Sequence, residues 1–350
     1  MPERVIREGT HPFRPRPRLS PLLRRPAVLL AAAILLALCI LASLFVGSSR
    51  IPADQVAHYL LHPDASNVSY NINVLRVERT IIGVLVGAAL AVSGAVMQAV
   101  TRNPLAEPGL LGVNAGASLG IVLGTAALGV LPVPGQLLLA AGGALVATAL
   151  VQVIGMIGGS TSSPVRLVLI GVAFSAFAGA VIRGVVLTMP NLFRTFIDWE
   201  VGSLTRADIP LLPMTLLVAL GTGAALLLAG ALDNIALGDD VAAALGTRVG
   251  LVRGLSLAVI TLLCATATTV AGPIGFVGLM APLTASWLMG PHRGWIVALC
   301  ALGGPVVVLA ADVLGRVLAR PGEMQVGLLT AFVGSPVLLL MVLRMKDRAS

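Results

Sequence analysis

The chain is 350 residues long, 57% hydrophobic and 11% charged, with a mean hydropathy of +0.99. Soluble domains carry about 25% charged residues, so an ordinary water-soluble globule is excluded, and the hydropathy excludes intrinsic disorder. The formal charge of +8 does not point to nucleic acid, because seven of the 23 basic residues lie before position 26 among prolines and aromatics are only 4%.

In chain order, an Arg/Pro-rich tail (1–26) precedes a first apolar run from Ala27 to Gly47. A charged leader of about 26 residues is too long for a signal peptide, so the run reads as a span whose tail is held in the cytoplasm. A polar stretch, Ser48 to Asn73, follows. The next runs are Val77 to Val100, Leu110 to Val130, Gln136 to Gly158, Pro164 to Met189 and Leu211 to Leu232. Leu251 to Ala271, a broken segment Ile274 to Met289, Trp295 to Leu314 and Met324 to Leu343 complete the pattern. Each approaches the roughly 20 residues a span requires. The reading is an all-α polytopic membrane protein with ten transmembrane helices over 27–345.

An even number of spans returns the C-terminus to the cytoplasm. Arg344, Lys346 and Arg348 in that tail, with Arg102, Arg166, Arg248, Arg253 and Arg293 in the loops of the same side, agree with the bias of basic residues. Gly94, Pro104 and Gly112 recur as Gly272, Pro282 and Gly290, a constant offset of 178 residues. That shift of five spans predicts halves of opposite orientation, an inverted repeat.

Chemistry is scarce. There is no GxxxxGK[ST] loop, HExxH or GxSxG. Cys39, Cys264 and Cys300 lie in apolar runs without metal-ligand spacing, and His58 and His62 read as loop residues. No metal site is expected, and no assembled acid, base and nucleophile suggests an enzyme.

Charges within spans are the informative features. Asp312 and Arg316 are i,i+4 and can pair along one helix face. Arg183 stands nineteen residues after Pro164, about 28 Å along its helix. There it can snorkel to the interface or stand at the mouth of a pathway for an anionic solute. Arg76 and Arg79 flank Glu78 at the start of the second span, as membrane anchors or as an exposed docking patch for an acidic soluble partner. Between spans six and seven (233–250), Leu237-Gly238-Asp239-Asp240 to Leu245-Gly246 predicts a turn, a short helix with acids in its first turn, and a Gly stop. A helix too short to span fits an element that docks in a groove of a cytoplasmic ATPase.

These residues carry a resemblance. RVERTIIGVLVGAALAVSGAVMQAVTRNPLAEPGLLGVNAG (76–116), GPIGFVGLMAP (272–282), LAADVLGR (309–316) and PGEMQVGLLTAFVGSPV (321–337) resemble the permeases of iron–siderophore and vitamin B12 ABC importers. SPVRLVLIGVA (163–173) and WEVGSL (199–204) match in the same order. The likeness is strongest to permease subunits for ferric catecholate siderophores of the enterobactin type. It implies a type II ABC-importer permease in the bacterial cytoplasmic membrane, paired with a second protomer as a homodimer or heterodimer. A cytoplasmic ABC ATPase would supply ATP hydrolysis, and a periplasmic or lipid-anchored binding protein would deliver ferric siderophore. The resemblance places Arg76, Arg79 and Arg316 against the binding protein and Leu237, Gly238, Asp239, Asp240, Leu245 and Gly246 against the ATPase. It places span five, with Ser175, Gly179 and Arg183, along the pathway.

Two departures stand out. Arg-Leu-Pro-Arg is Arg76-Val77-Glu78-Arg79 here, and Pro-His-x-x-Arg is Pro282-Leu283-Thr284-Ala285-Ser286, which loses both polar groups. The alternatives are a vitamin B12 or haem importer of the same fold, or an ion-coupled carrier. A carrier would want acids near the midplane of broken helices, and only Asp312 lies well inside the apolar runs.

Overall fold

Where lipid replaces water, backbone groups must be satisfied within the chain, and helices do this locally. The computed structural model describes residues 21–157, 164–189, 196–197, 199–205 and 209–349, and every long element among them is helical. Helix α1 is Pro21–Phe45; α2 (Ala53–Leu61), α3 (Asn67–Tyr70) and a π-helical turn (Asn71–Arg76) lead into α4 (Val77–Thr101). A 3₁₀ turn (Pro108–Leu111) precedes α5 (Val113–Leu128), α6 (Val133–Met156) and α7 (Pro164–Thr188). Then come α8 (Leu211–Ala236), the short α9 (Asp239–Ala244), α10 (Val249–Ala271), α11 (Val277–Met289), α12 (Arg293–Leu318) and α13 (Val326–Ala349).

Seven of these helices are long and apolar enough to cross a membrane. Three shorter apolar helices, Val113–Leu128, Val277–Met289 and Val326–Leu339, occupy the places of the other three expected spans. Two boundaries moved for a backbone reason. The third span begins at Val113 because Gly112 (φ +80°) breaks the helix before it. The eighth begins at Val277 because Gly272 (φ +74°) ends α10 and Phe276 (φ +69°) starts α11 from a left-handed conformation. The first helix starts at Pro21, inside the expected tail, whose residues 1–20 lie outside the described ones.

The glycine–proline offset does not relate equivalent places. Gly94 is inside α4, Pro104 follows it and Gly112 precedes α5, whereas Gly272 ends α10, Pro282 is inside α11 and Gly290 follows it. Gly and Pro are abundant enough to produce such an offset by coincidence.

The core is built around α4. Its apolar window is 83% buried, against 17% for α7. Small residues make this possible, since they let backbones approach without intervening side chains. A Cβ at Gly87 would lie 2.6 Å from the Pro305 backbone of α12, and one at Gly94 would overlap the carbonyl oxygen of Gly278 in α11. Gly94→Ala is therefore expected to destabilise the protein by about 1–3 kcal/mol through overpacking, read as a lowered Tm in detergent. An unchanged Tm would show that α4 and α11 can part at no cost.

Candidate functional site

Two polar clusters sit at opposite ends of α4, about 37 Å apart for 25 residues at 1.5 Å each. At its start, Arg79 donates from Nε and Nη2 to Asp312 of α12, the latter at 2.7 Å, and from Nη1 to Glu323 at 2.5 Å. Arg316, one helical turn beyond Asp312, meets its other oxygen at 2.8 Å. It also donates to the backbone and hydroxyl oxygens of Ser43 in α1, at 2.9 and 2.8 Å. Arg76 donates to the carbonyls of Leu44 (2.9 Å) and Phe45 (3.3 Å), where a cation suits the exposed end of α1.

The three arginines expected at the docking patch therefore converge, lining a cavity of about 180 Å³ with Glu78, Glu323 and Ser48. The exposure expected of Arg76 and Arg79 is not found, and Arg316 is buried with them: the three are 5%, 8% and 1% exposed. Asp312 draws Arg79 inward and the end of α1 draws Arg76, partners that no local pattern announces, while Arg316 is held by the expected Asp312 and by the distant Ser43. Glu323, on the 319–325 segment, is half-buried. Burial works to raise its carboxyl, but hydrogen bonds from Arg79 and Ser48 and the nearby guanidinium charges hold it below its ordinary value. The stability it lends is thus complete above the unfolded value of about pH 4.3 and is lost as pH falls through the lower folded value.

At the other end, α9 is a single helical turn and a half, entered through Gly238 (φ +116°) and left through Gly246 (φ +83°). This is the turn, helix and stop read from the sequence. Its side chains divide. Ala242 is buried, while Leu237, Val241 and Leu245 are 64%, 46% and 57% exposed and Asp240 points to solvent beside them. Asp239 turns back: it pairs with Arg102, and with Arg253 of α10 at 3.0 Å. Arg102 holds a left-handed conformation (φ +51°) after the last turn of α4 and donates from Nε to the Ile235 carbonyl of α8 at 2.8 Å. Sequence reasoning placed Asp239 among the outward contacts and passed over Arg102 and Arg253. Their common side of the bundle was the only signal available.

Helix α7 carries the third group. Ser175, Gly179 and Arg183 follow one another at i,i+4 spacing. Ser175 satisfies its hydroxyl on the Gly171 carbonyl at 2.8 Å, and the exposed Arg183 folds back towards Gly179. Leu169, Phe177 and Leu187 of the same helix are 65%, 63% and 80% exposed. At the altered motif, Leu283 is buried and Ser286 bonds the Leu283 carbonyl within α11 at 2.8 Å, so helix packing absorbs both changes.

The FecCD transport family matches residues 35–344, nearly all of the helical bundle and both clusters. The chain belongs to the FecCD transport family. Among relatives of this FecCD protein, the ferric enterobactin transport system permease protein FepD of Escherichia coli is 43% identical over 303 residues, 86% of this chain and 90% of that protein. The Fe(3+)-citrate import system permease protein YfmD of Bacillus subtilis is 38% identical, covering 85% and 88%. The hemin transport system permease protein HmuU of Yersinia pestis is 36% identical, covering 79% and 84%. Among solved structures, an inward-facing metal-chelate type ABC transporter superposes with a TM-score of 0.79 at 26% identity, over 91% of the FecCD protein and 99% of that chain.

Proposed function

We propose that this FecCD protein is the membrane-spanning permease subunit of an ATP-driven importer that carries a ferric siderophore of the catecholate type across the bacterial cytoplasmic membrane. The observation that carries the reading is the 43% identity to FepD, which extends over almost the full length of both proteins. The geometry agrees with a division of labour. The cluster at Arg76, Arg79 and Arg316 is the outer docking site for a binding protein, and both termini are cytoplasmic. The exposed ridge Leu237, Val241 and Leu245 is the inner contact for an ATPase subunit that supplies the hydrolysis. The largely unburied α7, with Ser175, Gly179 and Arg183, faces a second protomer across the pathway. Arg183 offers a cation to an anionic chelate at the mouth of that pathway, and the iron travels inside its chelator.

The test is uptake of radiolabelled iron in a strain lacking the gene, with ferric catecholate, hydroxamate and citrate chelates, haemin and labelled cobalamin compared. Loss of ferric catecholate uptake alone, restored by the wild-type gene, is the expected result. Loss of haemin or cobalamin uptake instead would keep the permease and replace the cargo.

A further inference from the structure

The outer cavity already contains the kind of group it is built to receive. Arg76, Arg79 and Arg316 line it, but Glu78 and Glu323 line it too, and Asp312 lies behind, so among the described residues three cations face three carboxylates. These carboxylates are not held equally. The Asp312 side chain is 1% exposed and is gripped by two arginines. Glu323 is 35% exposed, sits on a non-helical segment, and is held by Arg79 and by the Ser48 hydroxyl at 2.7 Å.

We propose that Glu323 is an internal stand-in for the partner, and that a carboxylate of the docking binding protein takes its place on Arg79. The inference rests on the outer cluster being the docking site, and adds how that site opens. A fourth carboxylate brought to a balanced, half-dry cluster would meet uncompensated repulsion. Exchange keeps the charges paired throughout. The cavity suits this occupant: about 180 Å³ admits one acidic side chain, whereas sites for whole ligands run to roughly 300–1,000 Å³. Exchange also frees the 319–325 segment at one of its tethers, leaving the bonds from Arg320 to the Gly47 carbonyl at 2.9 and 3.2 Å and from the Met324 N–H to the Gly315 carbonyl at 3.4 Å. Docking would thereby be felt at the junction of α12 and α13.

The experiment is ferric enterobactin uptake in the organism's own cells, where the native binding protein is present, at limiting and saturating concentrations. Glu323→Gln, which keeps the shape and removes the competing charge, is expected to lower the half-saturating concentration about fivefold. Ser48→Ala is expected to act in the same direction by a smaller factor. Asp54→Asn, which removes an exposed carboxylate of α2 outside the cavity lining, should stay within about twofold of wild type. Membrane levels are checked by immunoblot, and if Glu323→Gln is absent from the membrane Ser48→Ala decides. An unchanged or raised half-saturation in the deciding variant overturns the exchange. If Arg79→Gln, at normal membrane level, also transports like wild type, the docking reading itself fails. If Arg79→Gln loses uptake while Glu323→Gln and Ser48→Ala match wild type, the exchange alone fails.

Discussion

Asp312→Asn is expected to cost about 3–5 kcal/mol of stability, because it leaves two buried guanidinium groups facing a neutral amide. Arg79 would keep Glu323, but the deeply buried Arg316 would keep only the oxygens of Ser43, and its Nε has no bond to begin with. The measurement is thermal unfolding of the detergent-purified protein, supported by its level in the membrane. Replacing all three residues together, Arg79→Met, Asp312→Leu and Arg316→Met, gives the informative contrast. Buried ionic groups exchanged for apolar ones of similar volume are often neutral or stabilising. The triple variant should therefore recover most of the lost stability yet fail in uptake. A triple variant as unstable as Asp312→Asn would show that the cluster organises the fold itself, beyond balancing its own charges.

The second large effect concerns the proposed ATPase contact at the other end of α4, where two classes of substitution in and beside one short helix should part company. Val241→Asp or Leu245→Asp places a charge on the exposed ridge. Burying one such aliphatic side chain against a partner contributes about 1.5–3 kcal/mol. Association with the ATPase should therefore weaken by roughly 10- to 100-fold, measured by co-purification of the two subunits. Asp239→Asn leaves the ridge intact but slackens the ties to Arg102 and Arg253. In that variant the ATPase should still bind, and ATP should still be hydrolysed, while uptake falls by about tenfold. Equal loss of ATPase binding in both classes would refute the division between contact and tie. Asp239→Glu, which retains the charge, should recover much of the transport.

What the sequence disclosed, and what it withheld, follows from the range of the interactions. The helices were legible because lipid imposes a length and composition that each segment must meet alone. The α9 turn was legible for a similar reason: Gly238, two aspartates and Gly246 specify it within ten residues. The Asp312–Arg316 pair is a one-turn contact and was expected as such. The Arg79–Asp312 bond spans 233 residues and the Arg102–Asp239 bond 137, and hydropathy offers nothing to match one charge with another at that distance. The same holds for exposure. Arg76 looked like a surface group because it stands with Glu78 and Arg79 at the start of a span, and it is buried because α1 ends against it. The starts of α5 and α11 were misplaced because apolar composition continues through backbone that is not helical.

The glycine seams of α4 have a mechanical consequence. Where two helices touch backbone to backbone, as at Gly87 with Gly304 and Gly94 with Gly278, there is no cushion of side chains to flex. Helices α4, α11 and α12 thus form a stiff chassis, with ion pairs tying α4 to α12 at one end and to α9 at the other. Helix α7, little of which is enclosed by the rest of the chain, is hung on its outside like a door panel. In such a body a push at either end is passed on nearly undiminished, and under the proposed function the opening and closing would fall to the panel.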